Sequence, residues 1–199
     1  MKKLGLFMLI VCFVSCSKDD DSSDFYPNVV TEFATIRTDD AGTLAELTTD
    51  DERTYTIANP QSGYDRNVRY RAVCGFVVDG QSATIYHATG AYLLRDSTEL
   101  ACEADTFKAV SVWLSGRFIN MQLSSLTQGG RQYWGYRIDG VQGRTTHITL
   151  HHRQNGDLLS YTQTVYASIH VDSLKSVPVG DSIALHSYNG DKVWAFKKP

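Results

Sequence analysis

The chain has 199 residues, 42% of them hydrophobic, with 19 basic and 22 acidic side chains and a formal net charge of −3. That apolar share can bury a core, and four prolines with one short acidic tract exclude a largely disordered protein. The mild negative charge excludes nucleic acid or anionic lipid as a charge-driven partner.

Lys2 and Lys3 open a basic stretch, and Leu4 to Val14 follow without a charge. This is the pattern of a secretory leader. It falls well short of the ~20 apolar residues that a permanent membrane span needs. Ser15 then places a small residue before Cys16. A cysteine there suits lipoprotein processing, in which the nucleophilic thiol takes a diacylglyceryl thioether and its amine becomes the new N-terminus. Residues 1–15 therefore read as a lipoprotein signal peptide, and Cys16 as the lipid attachment site, palmitate being the sort of chain it would carry. Residues 16–24 are small or charged, a solvated acidic tether. Cleavage removes two lysines and leaves 17 basic against 22 acidic residues, a net of −5.

From residue 25 onward the pattern is that of strands. Val29–Arg37, Thr43–Thr48, Arg53–Ala58 and Val68–Val78 are separated by turn-forming clusters at 38–42, 50–52 and 59–63. Val68, Tyr70, Ala72, Cys74, Phe76 and Val78 alternate on an inward face, with Arg69 and Arg71 opposite. Asp79-Gly80 marks a hairpin, and two short strands follow at Ala83–His87 and Ala91–Leu94. Such close spacing predicts a small OB-like barrel over 25–98. Residues 95–105 lose the alternation and read as a domain boundary, with room for a short helix over 97–104.

Residues 105–199 predict a β-sandwich. Its strands are expected at Ala109–Leu114, Arg117–Ser124, Tyr133–Ile138, Thr145–His152, Leu159–Val171, Ile183–Tyr188 and Val193–Phe196. Asp139-Gly140 reads as a turn and Asn155-Gly156 as a type I′ hairpin. The fold class is all-β, an N-terminal OB-like barrel followed by a C-terminal sandwich.

With Cys12 in the leader and Cys16 lipidated, Cys74 and Cys102 remain. In an oxidising envelope they form a candidate disulfide, while Cys74 also fits as a small buried hydrophobe. Five histidines fall in the second half, four of them outward by the alternation, and they read as strand residues facing solvent; no ligand spacing marks a metal site, and no cofactor is expected. Nucleophile elbow and phosphate loop are both absent from the sequence, so the chain is not expected to be an enzyme. Tyr64 and Arg66 lie in a run mixing bases with aromatics, and Tyr133 could stack on a sugar. These three are the candidate ligand contacts, for a glycan or a protein rather than nucleic acid.

Cys16, then Phe25-Tyr26-Pro27-Asn28-Val29-Val30-Thr31, resembles the start of the NigD-like lipoproteins of Bacteroides-type bacteria. Val112 to Met121, Asn155-Gly156-Asp157 and Tyr161 to Tyr166 resemble that family's C-terminal half. The resemblance implies an OB-like domain before a β-sandwich, and it carries over no catalytic residue. The acidic tract behind Cys16 is similar to a surface-export signal of such lipoproteins. What this implies is an outer-membrane lipoprotein, anchored through Cys16 and displayed at the cell surface or otherwise facing the periplasm. Two roles follow: a non-catalytic binding or interaction module, or, from the family's association with a bacteriocin operon, an immunity-type protein that sequesters a toxin.

Overall fold

A computed structural model describes residues 28–97, 106–188 and 191–199. The leader, Cys16, the tether, Cys102 and most of the stretch foreseen as a short helix lie outside the described residues. Five strands come first: β1 (Val30–Thr38), β2 (Leu44–Thr49), β3 (Thr54–Ile57), β4 (Arg69–Asp79) and β5 (Ser82–Leu93). Antiparallel pairing joins β1 to β2 and β4, β2 to β3, and β4 to β5. A short parallel pairing of β3 with β5 closes the ring. That closure is the OB-type barrel read from the sequence. Its core gathers Ile36, Leu47, Tyr55, Ala72, Cys74 and Phe76. The Asp79-Gly80 hairpin forms as expected, with Gly80 at a φ of 59°.

The two short strands expected after that hairpin are one continuous strand. β5 stays paired with β4 from Ser82 to Gly90, and Gly75 of β4 leaves room for the His87 ring; a Cβ on Gly75 would sit 2.0 Å from it. The register slips by one residue beside that contact, between Gly75 and Phe76.

The second set is β6 (Lys108–Ser115), β7 (Phe118–Thr127), β8 (Tyr133–Gln142), β9 (Thr145–Arg153), β10 (Tyr161–His170), a 3-10 turn at Val171–Ser173, β11 (Ser182–His186) and β12 (Val193–Lys197). β6, β7 and β10 form one layer, and β12-β11-β9-β8 the other. Ile119, Met121, Leu123 and Ile169 of the first layer meet Ile148, Leu150 and Leu185 of the second in one apolar core. Burying side chains of this size is worth roughly 1.5–3 kcal/mol each before the entropy cost.

Two turns differ from expectation. Asp139-Gly140 is no turn: β8 passes through it with a register shift, and the chain reverses later, around Gly143. Asn155 and Gly156 do carry the positive φ values of a type I′ turn, 54° and 75°. Yet β9 and β10 lie in different sheets, so this turn carries the chain from one layer to the other instead of closing a hairpin.

The barrel and the sandwich share a sheet. β5 leaves the barrel and pairs in parallel with β10, giving the continuous order β3-β2-β1-β4-β5-β10-β7-β6. The barrel also seats on the outer face of the β6-β7-β10 layer. Phe33 meets Trp113 and Tyr166 edge-on at 5.5 and 5.9 Å. Gly116, in the β6–β7 turn at a φ of 50°, is pressed against the barrel, where a Cβ would lie 1.8 Å from the Asp50 carbonyl oxygen.

Candidate functional site: a groove where barrel and sandwich meet

Beneath the junction lies a buried polar cluster. Arg71, expected on an outer face, is buried because that face of β4 docks onto β7 and β10. Its Nη2 lies 2.6 Å from Asp50 Oδ1, donates to Asn120 Oδ1 at 2.9 Å, and its Nε donates to Ser168 Oγ at 3.1 Å. The contact with Asp50 is ionic rather than a well-aligned hydrogen bond, since Oδ1 accepts none. Asp50 takes an aligned donor at Oδ2 instead, from Asn120 Nδ2 at 2.6 Å. Ser168 Oγ donates to Asn120 Oδ1 at 2.7 Å, and the Phe118 ring lies 3.8 Å under the guanidinium. Burial pulls the Arg71 guanidinium below its ordinary value, against the pull of Asp50. A paired, hydrogen-bonded charge of this kind fixes one docking geometry.

Directly above it opens a groove of about 660 Å³, walled by the last residues of β5, the first half of β10, the start of β4 and the β3–β4 loop. Tyr64 from that loop, Tyr70, Tyr92 and Tyr166 supply aromatic walls, and Ala88, Gly90 and Ala91 a low floor. Pockets of this size, mostly apolar with a few polar groups, suit a ligand. The loop bearing Tyr64 is tied to the β1–β2 turn. Tyr64 N–H donates to the Gly42 carbonyl at 3.1 Å, and Thr38 Oγ1 donates to the Asp65 carbonyl at 2.7 Å. The Tyr64 and Tyr70 rings stand 5.9 Å apart, and Tyr70 Oη accepts from the Asp65 N–H at 3.2 Å.

The three candidate contacts do not converge. Tyr64 lines the groove. Arg66 is exposed on the same loop but is not part of the lining. Tyr133 is on β8 in the other sheet, half-buried with Arg131 over its ring at 5.2 Å. Trp134 beside it packs on the sandwich core. Cys74 is a buried free thiol; its proposed partner Cys102 lies outside the described residues.

His151, on the outward face of the alternation, is buried all the same at 5% exposure, and His152, on the inward face, is buried at 1%. His152 faces the core, stacking on Trp134 and bonding Gln132 Oε1 at 2.9 Å. His147 and His186, 39 residues apart, meet across the parallel β9–β11 pair with Nδ1 and Nε2 2.9 Å apart. Among the described residues no set of three or more His, Cys, Asp or Glu side chains is placed to hold a metal ion, and no helix is long and apolar enough to cross a membrane.

An OB-type barrel fused edge to edge with a sandwich of seven strands among the described residues, with a groove at the seam, defines a two-module all-β protein. No protein-family model and no curated protein matches this chain. Solved structures do share its fold. A NigD-like immunity protein from Bacteroides caccae superposes with a TM-score of 0.63 at 22% identity, over 86% of this chain and 93% of that one. A proposed toxin-related protein from Parabacteroides distasonis gives 0.61 at 12% identity, over 85% and 93%. A proposed lipoprotein from Bacteroides fragilis gives 0.56 at 10% identity, over 85% and 98%. The shared fold agrees with the NigD-like resemblance of the sequence.

Proposed function

We propose that this chain is an envelope lipoprotein, anchored through Cys16 and displayed at the outer-membrane surface, that acts as a non-catalytic binding module through the groove between barrel and sandwich. The observation that carries this reading is the groove itself: aromatic walls drawn from both modules, held by a buried polar cluster and a pinned loop. A site whose walls are already fixed avoids the ordering cost of binding. Replacing Cys16 with serine is expected to move the protein out of the membrane fraction and abolish lipid labelling. Protease treatment of intact cells should degrade the wild-type body if it is displayed. For the groove, Tyr64→Ala with Tyr92→Ala should remove binding of the full chain to whichever probe it recognises in a glycan array or a displayed peptide library. Binding unchanged in that double variant would place the site elsewhere.

A second reading, immunity by sequestering a toxin at the envelope, is favoured by the fold shared with the NigD-like immunity protein. A deletion strain should then become sensitive to culture supernatants of sibling strains; unchanged sensitivity counts against it.

A further inference from the structure

β5 and β10 form a fork. Their parallel pairing covers only Ala91 with Tyr166, Tyr92 with Ala167 and Leu93 with Ser168, and Leu94 N–H then donates to the Ser168 carbonyl at 2.8 Å. Backbone groups alternate sides along a strand. Gly90 and Ala88 of β5 therefore aim their N–H and C=O groups at the groove, as do Thr164 and Thr162 of β10. Among the described residues no strand pairs with these edges. β3 leaves β5 after Ile57 meets Ala83, and the Asn59 side chain closes the next position, accepting from Ile85 N–H at 3.0 Å and donating to its carbonyl at 2.7 Å. From Tyr86 to Gly90 the edge is open, a length of ~17 Å, while β4 still pairs along the other side.

Open edges are usually blunted with charge or proline. This one has neither: Tyr86-His87-Ala88-Thr89-Gly90 is small or aromatic apart from one imidazole, and β10 offers Tyr161-Thr162-Gln163-Thr164 opposite. The low floor of Ala88, Gly90 and Ala91 lets another backbone come close. The lining includes Arg69, exposed at the mouth, and no carboxylate. Arg71 beneath is already paired with Asp50.

We propose that the groove takes an extended, acidic peptide segment of a partner protein, which adds as a strand to the free edge of β5 between Asn59 and Ala91. Backbone hydrogen bonds supply affinity, and Tyr64, Tyr92 and Arg69 read alternate side chains. The proposal rests on the groove being the binding site and names what fills it.

The test uses the full chain purified from membranes in detergent and a displayed library of random ten-residue peptides. Recovered peptides should be rich in Asp and Glu and lack proline. Resynthesis with N-methyl groups on alternate amides should weaken binding about tenfold or more in one phase and little in the other, since one phase donates to the edge. Exchange of the Ala88 and Gly90 amides should slow in the complex. Gly90→Pro removes one donor facing the groove and leaves the β4 ladder alone, so it should cost about tenfold in affinity. Tyr64→Ala does the same from a loop if the proline variant fails to fold.

Equal tolerance of N-methylation in both phases overturns the proposal, as does recovery of no peptide. Glycan-array hits that Tyr64→Ala abolishes would also overturn it, though they leave the groove as the binding site. No hit from either probe sinks both readings. A dimer in sedimentation that Gly90→Pro dissociates would assign the edge to a second copy and overturn the partner peptide.

Discussion

His151 shows how much a single residue can depend on what covers it. It alternates with His147 and Thr149 toward the side of β9 away from the core, yet it is buried and neither ring nitrogen has a partner. Desolvation and the nearby Arg137 hold its pKa below the ordinary 6.5, with Asp139 pulling the other way. Above pH 6.5 the ring is neutral in both folded and unfolded chains, so its stability contribution is intact. As the pH falls through 6.5 toward the lower folded value, the unfolded chain takes up a proton that the folded chain refuses, and stability is lost. His151→Leu should therefore flatten the fall in Tm between pH 7 and pH 5, measured by thermal melts of both proteins. Cys74 makes the opposite kind of prediction, one of inertness. Burial pushes its thiol up to about 11, so iodoacetamide at pH 8 should leave it unmodified in the native protein and label it after unfolding. Label appearing only after reduction would instead show a bridge to Cys102.

At the scale of elements, the loop over residues 127–132 is held by one carboxylate. Asp157 accepts hydrogen bonds from Thr127 Oγ1 at 2.5 Å, the Gln128 and Gly130 N–H groups at 3.0 Å each, and Gln132 Nε2 at 2.8 Å. These donors, Thr127 first, lower its pKa to about 2. A depressed carboxylate gives stability that is whole above the unfolded value of 3.8 and lost as pH falls toward 2. Asp157→Ala should speed amide exchange at Gln128 and Gly130 severalfold at neutral pH, while exchange in β4 stays unchanged. Part of this element was legible beforehand. Asn155-Gly156 announced a tight turn, and Asp157 follows it directly. What could not be read was the destination of the turn, because β7, β9 and β10 alternate alike whichever neighbour they pair with. Most strands were legible for the converse reason: their alternation ends at turn residues, β8 running through Asp139-Gly140 being an exception, and Ile119, Met121, Leu123, Val165, Ala167 and Ile169 are buried as alternation requires. Arg71 defeated the same logic. Its strand has two buried faces, and a period-2 pattern assumes one.

For the whole molecule, two cores read as two domains from sequence are joined by a continuous sheet and by a polar cluster with members from both halves. The groove could not be foreseen for that reason: Tyr64 and Tyr92 come from one module and Tyr166 from the other. The same joint predicts how the protein unfolds. Arg71 and Asp50 belong to the barrel, and Asn120 and Ser168 to the sandwich. The Arg71–Asp50 pair is almost wholly desolvated, at 3% and 5% side-chain exposure, and the modules cannot part without breaking its hydrogen bonds to Asn120 and Ser168 and opening the sheet between β5 and β10. Wild-type protein should therefore melt in a single calorimetric transition with equal calorimetric and van't Hoff enthalpies. Arg71→Met leaves Asp50 buried and unpaired, which costs roughly 3–5 kcal/mol. Because the loss falls on the joint, the single variant should melt earlier and in two steps, as barrel and sandwich uncouple. Adding Asp50→Leu removes the orphaned charge and should recover most of the lost stability. It should not restore the one-step melt, since Asn120 and Ser168 then bond only each other and the apolar pair supplies packing without directional bonds to β7 and β10. A double variant that melts in one step at the wild-type temperature would show that shape alone, through Phe33, Trp113 and Gly116, holds the modules together.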